Sequence, residues 1–155
     1  MVTKYIFEVL DEIKAADGNR TDIINIIKNN KSKSLAIIFM ANYGHPVAVM
    51  EADHLPDYKE DDAPLGMSFT TLAKETKAFQ YFFTPGIKIK PISLERLYIN
   101  ICEGLCPEEA KIFTDVVTKS LYIKGLDYDV INEGFGEVFL SEPVERLEYA
   151  DGNTT

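Results

Sequence analysis

The chain has 155 residues, 46% of them hydrophobic, with eight Tyr, nine Phe and no Trp; that suits one globular domain with a real core and excludes an intrinsically disordered chain. No run of 18 apolar residues occurs, which excludes a membrane-spanning helix. The formal charge of −9 argues against non-specific nucleic-acid binding by the chain as a whole.

Residues 4–15 place Ile6, Val9, Leu10 and Ile13 at helical spacing, which predicts a first amphipathic helix. The same stretch, MVTKYIFEVLDEIK, meets its first acid by residue 8 and has no small-residue cleavage site, so it reads as a helix and not as a secretory signal. Gly18 breaks that helix. Asn19 or Thr21 caps a second one carrying Ile23, Ile24, Ile26 and Ile27, a spacing that does not fit strand alternation. After the polar turn KNNKSKS, Ser34 starts a third, very apolar helix through Leu35, Ile37, Ile38, Phe39 and Tyr43, which Gly44 ends. Residues 44–67 hold Pro46, Pro56, Pro64, Gly44 and Gly66 and predict a long loop, either functional or mobile.

Ser68 caps a helix through Leu72 and Phe79, and FTPGIKIKPIS is an extended connector with a Pro-Gly turn. Ser93 starts the next helix, with Leu94, Leu97, Tyr98 and Ile101, closed by Gly104. Pro107 followed by Glu108 and Glu109 marks a helix start, and that helix presents Ala110, Phe113, Val116 and Val117 and runs toward Gly125. Within KGLDYDVINEGFG, Asp127 caps a short helix that a glycine stops. The expectation is an all-α, single compact helical domain of about six or seven helices over residues 1–140, followed by an acidic, loosely held tail over 141–155. Ile13, Ile27, Ile38, Leu97, Ile101, Phe113, Val117 and Ile131 are its predicted core.

The charge is segregated. Residues 51–62, EADHLPDYKEDD, carry a net −5, residues 127–155 carry −7, and the remainder carries +3. Cys102 and Cys106, four apart on one helix, have poor disulfide geometry and read as small buried hydrophobes of a reducing cytoplasm. A zinc site would need two further ligands, and no partner motif is present. His45, Asp53, His54 and Asp57 form the one His/carboxylate grouping, but they are spread over a proline-bearing loop, which disfavours a metal. Ser68, Thr70 and Thr71 have no histidine base in a fixed relation to them, and no P-loop, dinucleotide or G-x-S-x-G motif occurs. The residues predict no enzyme, no cofactor and a cytoplasmic protein.

The segment SLERLYINICEGLCPEEAKIFTDVVTKSLYIKGLDYDVINEGFGEVFLSEP resembles part of the N-terminal DNA-binding domain of phage-type ATP-dependent DNA ligases, and IFEVLDEIKAADGNRTDIINIIKNN resembles its opening helix pair. The chain is more similar still to a family of small uncharacterised tailed-phage proteins that carry such a domain without the rest of a ligase. The resemblance spans residues 5–140, with the acidic loop outside it. It implies a helical fold that grips the duplex backbone, located in host cytoplasm if phage-encoded. It implies no ligation, because the adenylate-accepting K-x-D-G motif is not matched: Lys14-Ala15-Ala16-Asp17-Gly18 is one residue too long.

The part of the resemblance most suggestive of backbone contact falls on Lys124, Gly125 and the helix after them, with Lys119 close by. Helix N-termini bind anions, although Asp127 competes for those amides, and an ordinary packing corner is the alternative. Lys88 and Lys90 alternate along the connector and Lys28, Lys31 and Lys33 share one turn; each group matters if it meets the other on one face. Tyr81, Phe82 and Phe83 read as core more than as base-stacking surfaces. Phe139, Leu140, Val144, Leu147 and Tyr149 are apolar positions among the acids at the end of the chain, and read as a frayed end or as a groove-docking segment. Two functions are therefore expected. One is a non-catalytic phage accessory protein that contacts duplex DNA weakly and without sequence specificity through Lys88, Lys90, Lys119, Lys124 and Gly125. The other is an acidic module that docks on, and inhibits, a basic host or phage nucleic-acid enzyme.

Overall fold

The computed structural model describes residues 4–141. Seven α-helices occur among them: α1 (Ile6–Ala15), α2 (Arg20–Asn30), α3 (Lys33–Tyr43), α4 (Leu72–Glu75), α5 (Pro91–Gly104), α6 (Pro107–Val117) and α7 (Tyr128–Phe135). The only sheet among the described residues pairs β1 (Val47–Ala48) antiparallel with β2 (Phe83–Thr84), Val47 opposite Thr84. The all-α expectation holds.

Local chemistry explains most helix ends. Asn19 caps α2 by accepting from the Asp22 amide at 3.1 Å, and Asp127 caps α7 by accepting from Val130 at 3.0 Å, each satisfying a free first-turn donor. Gly136 ends α7 in the left-handed conformation, φ 77°, as such termini favour. Pro91 and Pro107 occupy first-turn positions of α5 and α6, where a missing N–H costs nothing.

Four boundaries differ from the sequence expectation. Ser32, not Ser34, caps α3, accepting from Leu35 at 3.1 Å, while Ser34 Oγ donates to the Ala73 carbonyl. Thr71, not Ser68, precedes α4, which lasts one turn and tightens into a 3-10 segment over Thr76–Tyr81. α5 starts at Pro91, two residues before Ser93. α6 ends at Val117 and not near Gly125, because Lys119 takes a left-handed φ of 55°.

One core unites these elements. All the predicted core residues are buried except Leu97, which is half-buried. Phe82 and Phe83 are also core; the Phe82 ring meets Phe113 edge-on at 5.3 Å and Tyr98 stacks on Phe113 at 5.9 Å. Both cysteines are free and buried, and burial pushes the Cys102 thiol up to about 11.

The loop over 44–67 is tied down along its length. Val49 N donates to Phe82 O at 3.0 Å, Tyr58 meets Tyr98 edge-on at 6.1 Å, and Lys59 N donates to Glu103 at 2.7 Å. Phe139 and Leu140, read from the sequence as part of a frayed end or a groove-docking segment, belong to the body: the Asn132 carboxamide accepts from both their amides and donates to Leu140 O at 2.7 Å. Val144, Leu147 and Tyr149 lie outside the described residues.

Candidate functional site

The stretch from Lys124 to Gly136 is a packing corner. Gly125 has φ +81°, and a Cβ there would lie 2.7 Å from the Cα of Gly18, itself at φ +81°. The Lys124 methylenes lie over Gly18, and its ammonium pairs with Asp17 at 3.2 Å. Further along α7, a Cβ on Gly134 would come within 2.5 Å of the Ile27 side chain. Asp129 and Glu133 face Arg20 of α2 at 3.1 and 2.8 Å. The acids of α7 thus answer a cation of α2, and Asp127 occupies the helix N-terminus.

Lys119 is committed elsewhere. Its ammonium donates to the carbonyls of Ala41 and Gly44, both at 2.9 Å, and so closes the C-terminal end of α3, where a cation is favoured. Burial lowers its pKa. Asn42 fastens the same junction by exchanging two hydrogen bonds with the Leu121 backbone, at 2.9 and 3.1 Å. In the structure Lys119 thus caps a helix and Lys124 braces a turn.

Lys88 and Lys90 are exposed and make no ion pair among the described residues. Their connector is held at its start, where Ile87 N donates to Gln80 O at 2.9 Å, and at its end, where Lys90 O accepts from Leu94 N in α5 at 3.0 Å. The structure adds cations that sequence reasoning missed. Lys74, Lys77 and Arg96 are exposed and likewise without an ion pair among the described residues, as are Lys31 and Lys33. The 3.1 Å bond from Ser34 to the Ala73 carbonyl joins the start of α3, which holds Lys33, to α4, which holds Lys74. The segment from Lys74 to Arg96 also holds Glu75, which accepts from Thr70 at 2.7 Å, and Glu95. Its cations outnumber its acids. The local cue was available in the surplus of lysine over 74–96; the link to the start of α3 needed the tertiary contact.

A second feature is a cleft of about 130 Å³ between the start of α1, residues 65–74 and the first turn of α6. Glu109 lies at its floor, 1% exposed, with Oε1 accepting from Leu72 N at 2.9 Å. The Ile6 and Phe7 amides at the start of α1 draw on the same carboxyl, but burial dominates and raises its pKa. Oε2 accepts no hydrogen bond of good geometry. The two histidines are apart from this cleft: His45 meets Ser141 at 2.6 Å and His54 meets Glu51 at 3.1 Å. Among the described residues no group of three His, Cys, Asp or Glu side chains could hold a metal ion, and no helix is long and apolar enough to cross a membrane.

The chain belongs to a family of unknown function, DUF6433, whose model matches residues 9–122. The match runs from within α1 through α6, takes in the basic connector and stops short of Lys124 and Gly125. No curated protein and no solved structure matches the chain.

Proposed function

We propose that this member of DUF6433 is a non-catalytic accessory protein of phage DNA metabolism that contacts the backbone of duplex DNA, weakly and without sequence specificity. The observation that carries this reading is the set of exposed, unpaired cations along the start of α3, α4 and the connector: Lys33, Lys74, Lys77, Lys88, Lys90 and Arg96. Phosphate contacts need cations whose charge is not already spent on a carboxylate. The resemblance to the ligase domain read from the sequence of residues 5–140 is what suggests DNA as the partner of such cations. Lys119, Lys124 and Gly125, expected to share the contact, contribute through the fold instead.

The test is fluorescence anisotropy with a labelled 30-base-pair duplex, intact and nicked, across a salt range. The six cations neutralise at most six phosphates, so log affinity should fall with log salt at a slope no steeper than about −5, at roughly −0.9 per phosphate. Exchanging Lys88 and Lys90 for alanine should weaken binding and flatten that slope; exchanging Lys124 should do neither. Failure to bind either duplex at low salt overturns the reading.

The cleft favours a second reading, an acidic module that docks on a basic protein such as a nucleic-acid enzyme. Residues 51–62 carry −5 and stand next to an apolar rim, which would steer and then hold a cationic partner.

A further inference from the structure

We infer that the cleft above Glu109 receives a lysine side chain from a basic segment of a partner protein. The inference rests on the second reading and names its site. Three observations meet there.

The first is the floor. Glu109 lines the cleft; the Leu72, Ile6 and Phe7 amides draw on its carboxyl, but its buried Oε2 makes no hydrogen bond of good geometry. A buried acceptor without a well-formed hydrogen bond is costly, and an entering donor lowers that cost. An ammonium is compact, carries three donors and satisfies a carboxylate without needing the broad planar fit of a guanidinium.

The second is the rim. Phe69 is 93% exposed, Met67 72% and Leu65 59%, and Phe69 and Leu65 line the cleft mouth. Exposed large side chains gathered in one place mark an interaction surface. Their backbone is fixed: Met67 N donates to Pro64 O at 2.9 Å and Thr70 N to Gly104 O at 3.0 Å. A lysine reaching Glu109 would lay its methylenes across this rim, which suits a side chain that is apolar along its stem and charged at its head.

The third is the surrounding charge. Ser68 lines the cleft and donates to Asp61, so the acidic loop reaches the cleft through Asp61. The other titratable groups of the lining are Tyr5, Cys106 and Lys74. Burial raises the Cys106 thiol, which keeps it neutral, and Lys74 is exposed at the edge. Lys74 is the one cation of the lining; residues 51–62, with a net −5 that already counts Lys59, outweigh it.

The test uses a fluorescein-labelled ten-residue peptide of glycine, lysine and leucine, titrated with the full chain and followed by anisotropy. The same peptide with acetylated lysines, and one with arginine for lysine, should each bind about tenfold more weakly, the loss typical of removing a central anchor. Phe69→Ser, at a site with no role in the core, should weaken the lysine peptide by about the same factor, and Glu109→Gln likewise. Val138→Ser, an exposed apolar position outside the cleft, should bind as the native chain does. Equal binding by Phe69→Ser, or by the arginine or acetylated peptide, overturns the inference. In that case weakening by Glu60→Gln with Asp62→Asn still upholds the acidic-module reading. Absence of any peptide binding at low salt overturns both.

Discussion

Gly125 meets Gly18 backbone to backbone, each at φ +81°, with no room between them for a methyl group. This contact joins the α1–α2 turn to the turn before α7, and α7 then lies along α2 over Gly134 and Ile27. Two glycine turns that are far apart in sequence form one joint, and Lys124 and Asp17 brace it from outside.

Gly125→Ala should therefore be among the more damaging single-methyl additions in the chain. A left-handed φ costs a side chain about 1–2 kcal/mol, and the clash with the Gly18 backbone should bring the total to about 3 kcal/mol. Gly136→Ala is the control: its φ is +77° but nothing lies within 4 Å of the added Cβ, so only the conformational cost, about 1 kcal/mol, should appear. Urea unfolding of the two variants checks the difference; equal losses would show that the joint yields freely.

Lys119→Met should destabilise the fold without touching DNA affinity. It leaves the Ala41 and Gly44 carbonyls without their donor, a loss of about 1–3 kcal/mol. Anisotropy on duplex DNA, run well below the variant's unfolding temperature, should match the native chain. A weakened complex would put Lys119 back among the phosphate contacts.

Glu109 should make stability fall as pH rises above the ordinary carboxyl value of 4.5. Its folded pKa is raised, so in that window the native state keeps a proton that the unfolded chain has released. The contribution is complete below 4.5 and is lost as pH climbs through the raised value. Glu109→Gln has no such proton to lose. Unfolding free energies of both chains from pH 4 to pH 8 should show the native chain losing ground to the variant as pH increases. A gap that moves the other way would mean that the amides of Leu72, Ile6 and Phe7 hold the carboxylate more strongly than burial opposes it.

How much of this was legible in the sequence divides by range. Ile13, Ile27, Phe113 and Ile131 declared their burial through helical spacing, and Asn19, Pro107 and Asp127 declared helix starts through bonds made within one turn. Ser32 and Ser34 stand two residues apart and are chemically alike; which one caps α3 was settled by Ala73, thirty-nine positions from Ser34, whose carbonyl claims the other hydroxyl. Lys119 and Lys124 looked like free cations because their partners, on α3 and in the α1–α2 turn, are remote in the chain. Glu109 read as a first-turn acid favoured by the helix dipole, and no local pattern reveals that α1 and α4 start against the same carboxyl. Charge in a sequence counts side chains; whether each charge is available is decided by the fold.

Incubation with labelled ATP should leave the chain unlabelled. The nearest approach to an adenylation motif puts Lys14 in the last turn of α1 and spends Asp17 and Gly18 on the joint with Lys124 and Gly125. A covalent adenylate on Lys14 would contradict both the packing and the absence of K-x-D-G.

Removing residues 142–155 should tighten DNA binding, most clearly at low salt. The cut belongs after Ser141, because Leu140 is buried and its backbone is held by Asn132 on both sides; a chain ending at Phe139 would lose that clasp as well as the charge. Residues 142–155 contain four acids and one arginine. Like charge opposes approach to phosphates within a Debye length of about 10 Å at 0.1 M salt, and that reach grows to about 30 Å at 0.01 M. The gain in affinity should therefore be largest in dilute buffer and shrink toward nothing as salt rises. A truncated chain that binds duplex no better at low salt, yet remains folded, would show that the acids of the C-terminal segment do not oppose the phosphate-facing cations. A chain that ignores duplex in both forms would remove the DNA reading and leave the Glu109 cleft as the site to pursue.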